Sequence, residues 1–134
     1  MSGNKVILDA SVLEQLRDIS EQTGKDVMTS AIEHFITQIP DNIVRLKQAL
    51  EAKDTTLLWH VAHSMKSAGF TLGANGFSGH CAQLETAARV GRLEKAQQLV
   101  STIEHLWPDL LAALNDWLPV ENIDSELEKI DFLI

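Results

Sequence analysis

Apolar positions recur along this chain at spacings of three and four, and nowhere do four or more residues alternate cleanly between apolar and polar. That periodicity predicts amphipathic helices and argues against strands. Residues 9–20 open on Asp9, a good capping side chain, and place Val12, Leu13, Leu16 and Ile19 on one face. Residues 26–39 repeat the pattern with Val27, Met28, Ala31, Ile32, Phe35, Ile36 and Ile39. Pro40 then either begins a new helix or kinks a continuing one, and Ile43, Val44, Leu46 and Leu50 carry the stripe to Ala52. Asp54 is a good N-cap for a helix from Thr55 to about Leu72, with Gly73 as its stop. Asn75 is expected to cap the next helix, from Gly76 to Val90, which ends at Gly91. A further helix begins near Leu93 and reaches Trp117, bent at Pro108. The last stretch is acidic, and Ile123, Leu127, Ile130 and Leu133 fit one face of a final helix.

Four long amphipathic helices with short connections predict an all-α, antiparallel up-and-down four-helix bundle, with additional N- and C-terminal helical segments. No internal repeat, low-complexity segment or Gly/Ser/Pro linker divides the chain. Residues 1–134 therefore read as one domain, with a bundle core over about 25–118 and an acidic amphipathic tail over 119–134. At 45% apolar and 22% charged residues, the chain can close a core and is a poor candidate for disorder. A net charge of −8 argues against a nucleic-acid or anionic-membrane surface, which needs a basic stripe. No apolar run approaches the length of a membrane span and the N-terminus lacks a secretory signal pattern, so no membrane association is expected. The single Cys81 cannot close an intramolecular disulfide, which points to a reducing, cytoplasmic setting.

The informative segment is Asp54–Gly73. At about 100° per residue, Leu57, Leu58, Val61, Ala62, Met65, Ala68, Gly69 and Leu72 fall in one core-facing sector. Its small residues, Ala62, Ala68 and Gly69, permit close approach of a neighbouring helix. His63 points away from that sector, and Trp59, Lys66, Ser67 and Phe70 are its neighbours on the outer face. One surface patch thus holds an imidazole, an ammonium, a hydroxyl and two aromatics. Aromatics outside a helix with ample core positions point to a surface that a partner covers. A neutral imidazole is a good nucleophile near pH 7, and Lys66 would offset charge on a phosphoryl group arriving at His63. An exposed His with a Lys three residues later is also common by chance, and Trp59 is as readily a packing residue as a docking one. Only the rest of the chain gives the pair meaning.

That wider pattern resembles the histidine-containing phosphotransfer family. The residues are Ala62-His63-Ser64-Met65-Lys66-Ser67-Ala68-Gly69, then Leu72-Gly73-Ala74. Downstream stand Cys81-Ala82-Gln83-Leu84-Glu85, Arg89 and Gly91; upstream stand Phe35, Leu46, Ala49-Leu50 and Lys53-Asp54. The resemblance spans roughly residues 25–114 and lies in the order and spacing of these motifs. It implies a bundle that shuttles phosphoryl groups between receiver-domain aspartates, with His63 phosphorylated and Lys66 stabilising the phosphate. It implies a carrier without kinase, ATPase or hydrolase activity and without a cofactor. Its partners would be response-regulator receiver domains, each with its own Mg²⁺, and a hybrid sensor histidine kinase. A monomer is expected. Gln83 falls near where some members place a polar side chain beside the active His. Ser67 stands where the family usually has Gly, and its side chain could crowd a receiver or add a phosphate contact.

Other classes fare worse. None of His34, His60, His63, His80 and His105 follows a Glu by three residues, so the di-iron bundle signature is absent and no metal is expected. A surface ion shared by His60 and His63 would lack evident supporting ligands. Nucleotide-binding glycine loops and a nucleophile elbow are missing. Cys81 follows the amphipathic pattern and reads as a small buried apolar residue. The competing function is a helical adaptor that binds a receiver or kinase through Trp59 and Phe70 without carrying phosphate. An adaptor has no need of His63 and Lys66, which favours the carrier.

Overall fold

The computed structural model describes residues 7–119. Among them are five helices and no strand: α1 (Ala10–Thr23), α2 (Val27–Ala52), α3 (Thr55–Thr71), α4 (Asn75–Arg89) and α5 (Leu93–Asn115). Helices α2 to α5 form a closed antiparallel bundle in which α2 packs on α3, α3 on α4, α4 on α5 and α5 back on α2. α1 lies outside this ring against α2. The expected tail helix over 120–134 lies outside the described residues.

Three aspartates open helices as their type dictates. Asp9, Asp26 and Asp54 accept from the backbone N–H of Ser11, Thr29 and Leu57, at 3.1, 3.0 and 3.0 Å. The three turns inside the bundle share one construction. A residue with positive φ (Lys53, Gly73 or Gly91) follows the helix end, and the next N–H reaches back five residues to a carbonyl. These bonds run from Asp54 to Ala49, Ala74 to Gly69 and Arg92 to Ala87, at 2.8, 2.8 and 2.9 Å. The residue that closes one helix therefore caps the next. For this reason Ala74, and not Asn75, is the N-cap of α4: its amide is already committed to α3, and Asn75 is the first helical residue.

Pro40 neither starts a helix nor ends one; α2 runs through it, and α5 runs through Pro108. Both prolines are exposed, so the carbonyls they leave unbonded can meet water. Val44, assigned to the core stripe by periodicity, is exposed beyond Ile43 and Leu46. The core gathers Ile32, Phe35, Ile39, Leu46, Leu58, Met65, Leu84, Ile103, Leu110 and Leu114, with the rings of Phe35, Phe77 and Trp107 in mutual contact. Leu13 is the fully buried anchor of α1, whereas Ile19 is exposed.

The α3–α4 pair decides how the candidate site is held. A Cβ at Gly69 would stand 3.3 Å from the Phe77 ring and 3.5 Å from Ser78 Cβ, so glycine permits the close crossing that its position implies. One turn earlier, the Ser78 hydroxyl donates to the Lys66 carbonyl at 2.6 Å, locking α4 to the backbone of the segment that bears His63 and Lys66. At the turn itself the Asp9 N–H donates to the Gly73 carbonyl at 2.9 Å, pinning the start of α1 to the α3–α4 hairpin.

Candidate functional site: an imidazole, a carboxylate and an ammonium

His63 lies mid-way along α3 with its side chain 50% exposed, on the face opposite buried Val61, Ala62 and Met65. Its Nδ1 is 2.6 Å from Glu85 Oε2. Lys66 donates from Nζ to the other oxygen, Glu85 Oε1, at 3.0 Å. A single carboxylate from α4 thus bridges the two α3 groups that stand one turn apart. Glu85 is only 17% exposed and Lys66 31%. Burial alone would push the Glu85 carboxyl up. Hydrogen bonds from Lys66 and His63, and their charges, outweigh it and hold the group below its ordinary value.

The arrangement has a defined chemical sense. With Glu85 ionised, the neutral imidazole donates Nδ1–H to it, which fixes the tautomer and leaves the Nε2 lone pair free. His63 Nε2 accepts no hydrogen bond among the described residues. Lys66 spends one proton on Glu85 and keeps two for an incoming anion.

The other expected site residues fall out differently. Ser67 is exposed one turn beyond His63, and Phe70 is 69% exposed on the same line of the helix. Trp59 is not the open aromatic of the sequence pattern: it is half-buried against the core, and its indole stacks on the His63 ring at 5.1 Å and 9°. Gln83 is exposed in a shallow groove between α4 and α5, beside Thr86, Val90, Arg92 and Lys95. It stands about 200° around α4 from Glu85 and so looks away from the helix that carries His63. Arg89 and Lys53, which belong to the motifs of the resemblance, are exposed, Lys53 as the C-cap of α2. Among the described residues, no three His, Cys, Asp or Glu side chains gather into a metal-binding group. No helix there is long and apolar enough to cross a membrane.

Glu85 is the member of the candidate site that sequence reasoning missed. One signal marked it: residues 55–84 contain no Asp or Glu, so Glu85 is the first carboxylate after Asp54. It also shares with Ser78, two turns away, the edge of α4 that meets α3.

Comparisons with known proteins bear on the family and the fold. A family model described as the Hpt domain matches residues 30–117. The solved structure of histidine-containing phosphotransfer protein B from Pseudomonas aeruginosa superposes with a TM-score of 0.77 at 28% identity, covering 84% of this chain and 95% of that one. Multistep phosphorelay regulator 1 of Schizosaccharomyces pombe is 25% identical over 133 residues, taking in 96% of this chain and 43% of the regulator. This chain therefore spans less than half of that relative's length. With five helices in the order that closes an antiparallel bundle, and a family match that takes in four of them from within α2 to beyond α5, the chain belongs to the Hpt domain family.

Proposed function

We propose that this chain is a phosphoryl carrier of a two-component phosphorelay, with His63 the residue that is phosphorylated. The observation that carries this reading is the half-exposed His63 whose Nδ1 is engaged by Glu85, so that Nε2 is presented as the nucleophile. The donor is an aspartyl phosphate on a receiver domain. The Nε2–P bond forms as the aspartyl O–P bond breaks, and the proton stays on Nδ1, hydrogen-bonded to Glu85. The ring becomes cationic as it gains the phosphoryl group, and the adjacent carboxylate balances that charge. Reversal needs no proton to move, which suits a group that must be passed on. Lys66 turns from Glu85 to the phosphoryl oxygens, and Ser67 lines the path of approach.

Receiver domains dock over Phe70, the most exposed of the large apolar side chains among the described residues, which stands about two turns from His63. A hybrid sensor kinase loads the relay, and this chain acts as a monomer in the cytoplasm with no kinase or hydrolase activity of its own. The Hpt match and the similarity to proteins named for phosphotransfer and phosphorelay support this reading.

The test is transfer from a panel of phosphorylated receiver domains to the purified chain, with His63→Gln alongside. Acid-labile, alkali-stable label on the wild type and none on the variant is expected. Receiver binding without label would leave the adaptor. Phe70→Ala should weaken receiver binding about tenfold in a titration while the melting curve stays unchanged; undiminished affinity would remove Phe70 from the docking surface.

A further inference from the structure

The indole of Trp59 is placed in a way that docking does not require. Its face lies 5.1 Å from the His63 ring with planes only 9° apart, a stacked arrangement. The half-buried indole also packs against the core, and His60 meets it at 5.0 Å and 79°. The indole is therefore held on several sides, and the imidazole rests on a surface that does not yield. Glu85 fixes the same imidazole through Nδ1, in the plane of the ring. One partner sets the in-plane direction of the ring and the other sets the tilt of that plane. Together they aim Nε2.

We propose that Trp59 is a positioning residue for phosphoryl transfer at His63, and that its indole face stabilises the cationic ring produced when Nε2 takes up phosphate. This inference rests on the reading of His63 as the phosphorylated residue. The chemical ground is the aromatic quadrupole. A cation over an indole face is attracted to it, and the imidazole is neutral before attack and cationic after it. The stack is thus stronger with the product than with the starting ring, so it favours the transfer as well as ordering it. The half-buried indole acts from beneath the imidazole, which distinguishes its role from that of exposed Phe70.

A small donor separates positioning from docking. Phosphoramidate transfers its phosphoryl group to an imidazole nitrogen as its own P–N bond breaks and ammonia leaves, with no receiver to bind. The full chain is compared with Trp59→Leu, which keeps apolar bulk but has no π face, and with Trp59→Phe, which restores one. Circular dichroism and melting establish that each variant is folded. The expected result is a labelling rate about three- to fivefold lower in Trp59→Leu and largely recovered in Trp59→Phe. NMR of the His63 ring should show Trp59→Leu losing the upfield ring-current shift while Glu85 still holds Nδ1–H. Equal labelling rates in wild type and Trp59→Leu would overturn the proposal while leaving His63 as the carrier. A wild-type chain that takes no label on His63 would overturn the carrier and, with it, this role for Trp59. If Trp59→Leu fails to fold, Trp59→Met, which also has apolar bulk and no π face, takes its place: a labelling rate below wild type and Trp59→Phe supports the proposal, and a rate equal to wild type overturns it.

Discussion

A carboxylate placed between an imidazole and an ammonium must do two things at once, and Glu85 shows both. It holds Nδ1–H, so the nucleophilic nitrogen is chosen before any donor arrives, and it holds Lys66 in reserve beside it. Glu85→Ala removes the acceptor from both groups and should slow phosphorylation of His63 about tenfold or more, whereas Glu85→Gln keeps an acceptor for Nδ1–H and should lose less; initial labelling rates distinguish the two. The same contacts have a signature in stability. The Glu85 carboxyl titrates below its ordinary value of 4.5 in the folded chain. Its contribution is therefore fully present above the unfolded value and is lost as pH falls through the folded one. The stability gap between wild type and Glu85→Gln should accordingly shrink on acidification from near pH 5 downward, as denaturant midpoints would show. His63, Lys66, Ser67 and Phe70 were legible because they share one helix, where spacing alone gives the face. Glu85 was not, because its pairing with His63 depends on the rotation of α4 against α3. Gly69 and Ser78 set that rotation through contacts that no local periodicity encodes.

At the scale of elements, the helix–turn–helix connections are three copies of one solution with different residues at the left-handed position. Lys53 adopts φ 55 where Gly73 and Gly91 adopt 77 and 75. A side chain there costs about 1 kcal/mol, so Lys53→Gly should raise stability by up to that amount. The two glycines should differ from each other. A Cβ at Gly91 meets nothing within 4 Å, whereas one at Gly73 would lie 2.9 Å from the Asp9 carbonyl and 3.1 Å from Val12 Cβ. Gly91→Ala should cost only the backbone strain of about 1 kcal/mol. Gly73→Ala should cost roughly 2–3 kcal/mol and also release α1, seen as faster amide exchange from Leu13 to Leu16. Helix starts at Asp9, Asp26 and Asp54 could be read from the chain because the caps are local. The start of α4 could not, since the tight turn gives Ala74 the capping place and leaves Asn75 inside the helix. Pro40 left a boundary and a continuing helix both open, and the helix continues; a proline on the wet side of a long helix breaks one hydrogen bond without ending the element.

Taken whole, the molecule separates its charge from its chemistry. Its net charge is −8, yet the 30 residues from Thr55 to Leu84, which include all of α3, carry no carboxylate. α3 itself thus adds no repulsion against an acidic receiver or a phosphoryl group beyond that of Glu85, whose charge Lys66 offsets. The interior is closed to redox or thiol chemistry: Cys81 is fully buried and its thiol is pushed up to about 12 by burial. A thiol reagent near pH 8 should therefore leave native Cys81 unmodified and react only as fast as the bundle opens, following denaturant as unfolding does. The bundle itself was legible, because period and connection length permit few other arrangements of four such helices. So was the place of α1 outside it, but not the exposure of Ile19, since the stripe of α1 is as regular as those of the core helices. Phosphoryl transfer here turns on one atom, Nε2 of His63, and long-range proton–nitrogen and phosphorus NMR of the chain phosphorylated by a receiver observes it. Phosphorus bonded to Nε2 of His63, with Nδ1 still carrying its proton toward Glu85, is the expected result. Phosphorus on Nδ1, or on any residue other than His63, would contradict it.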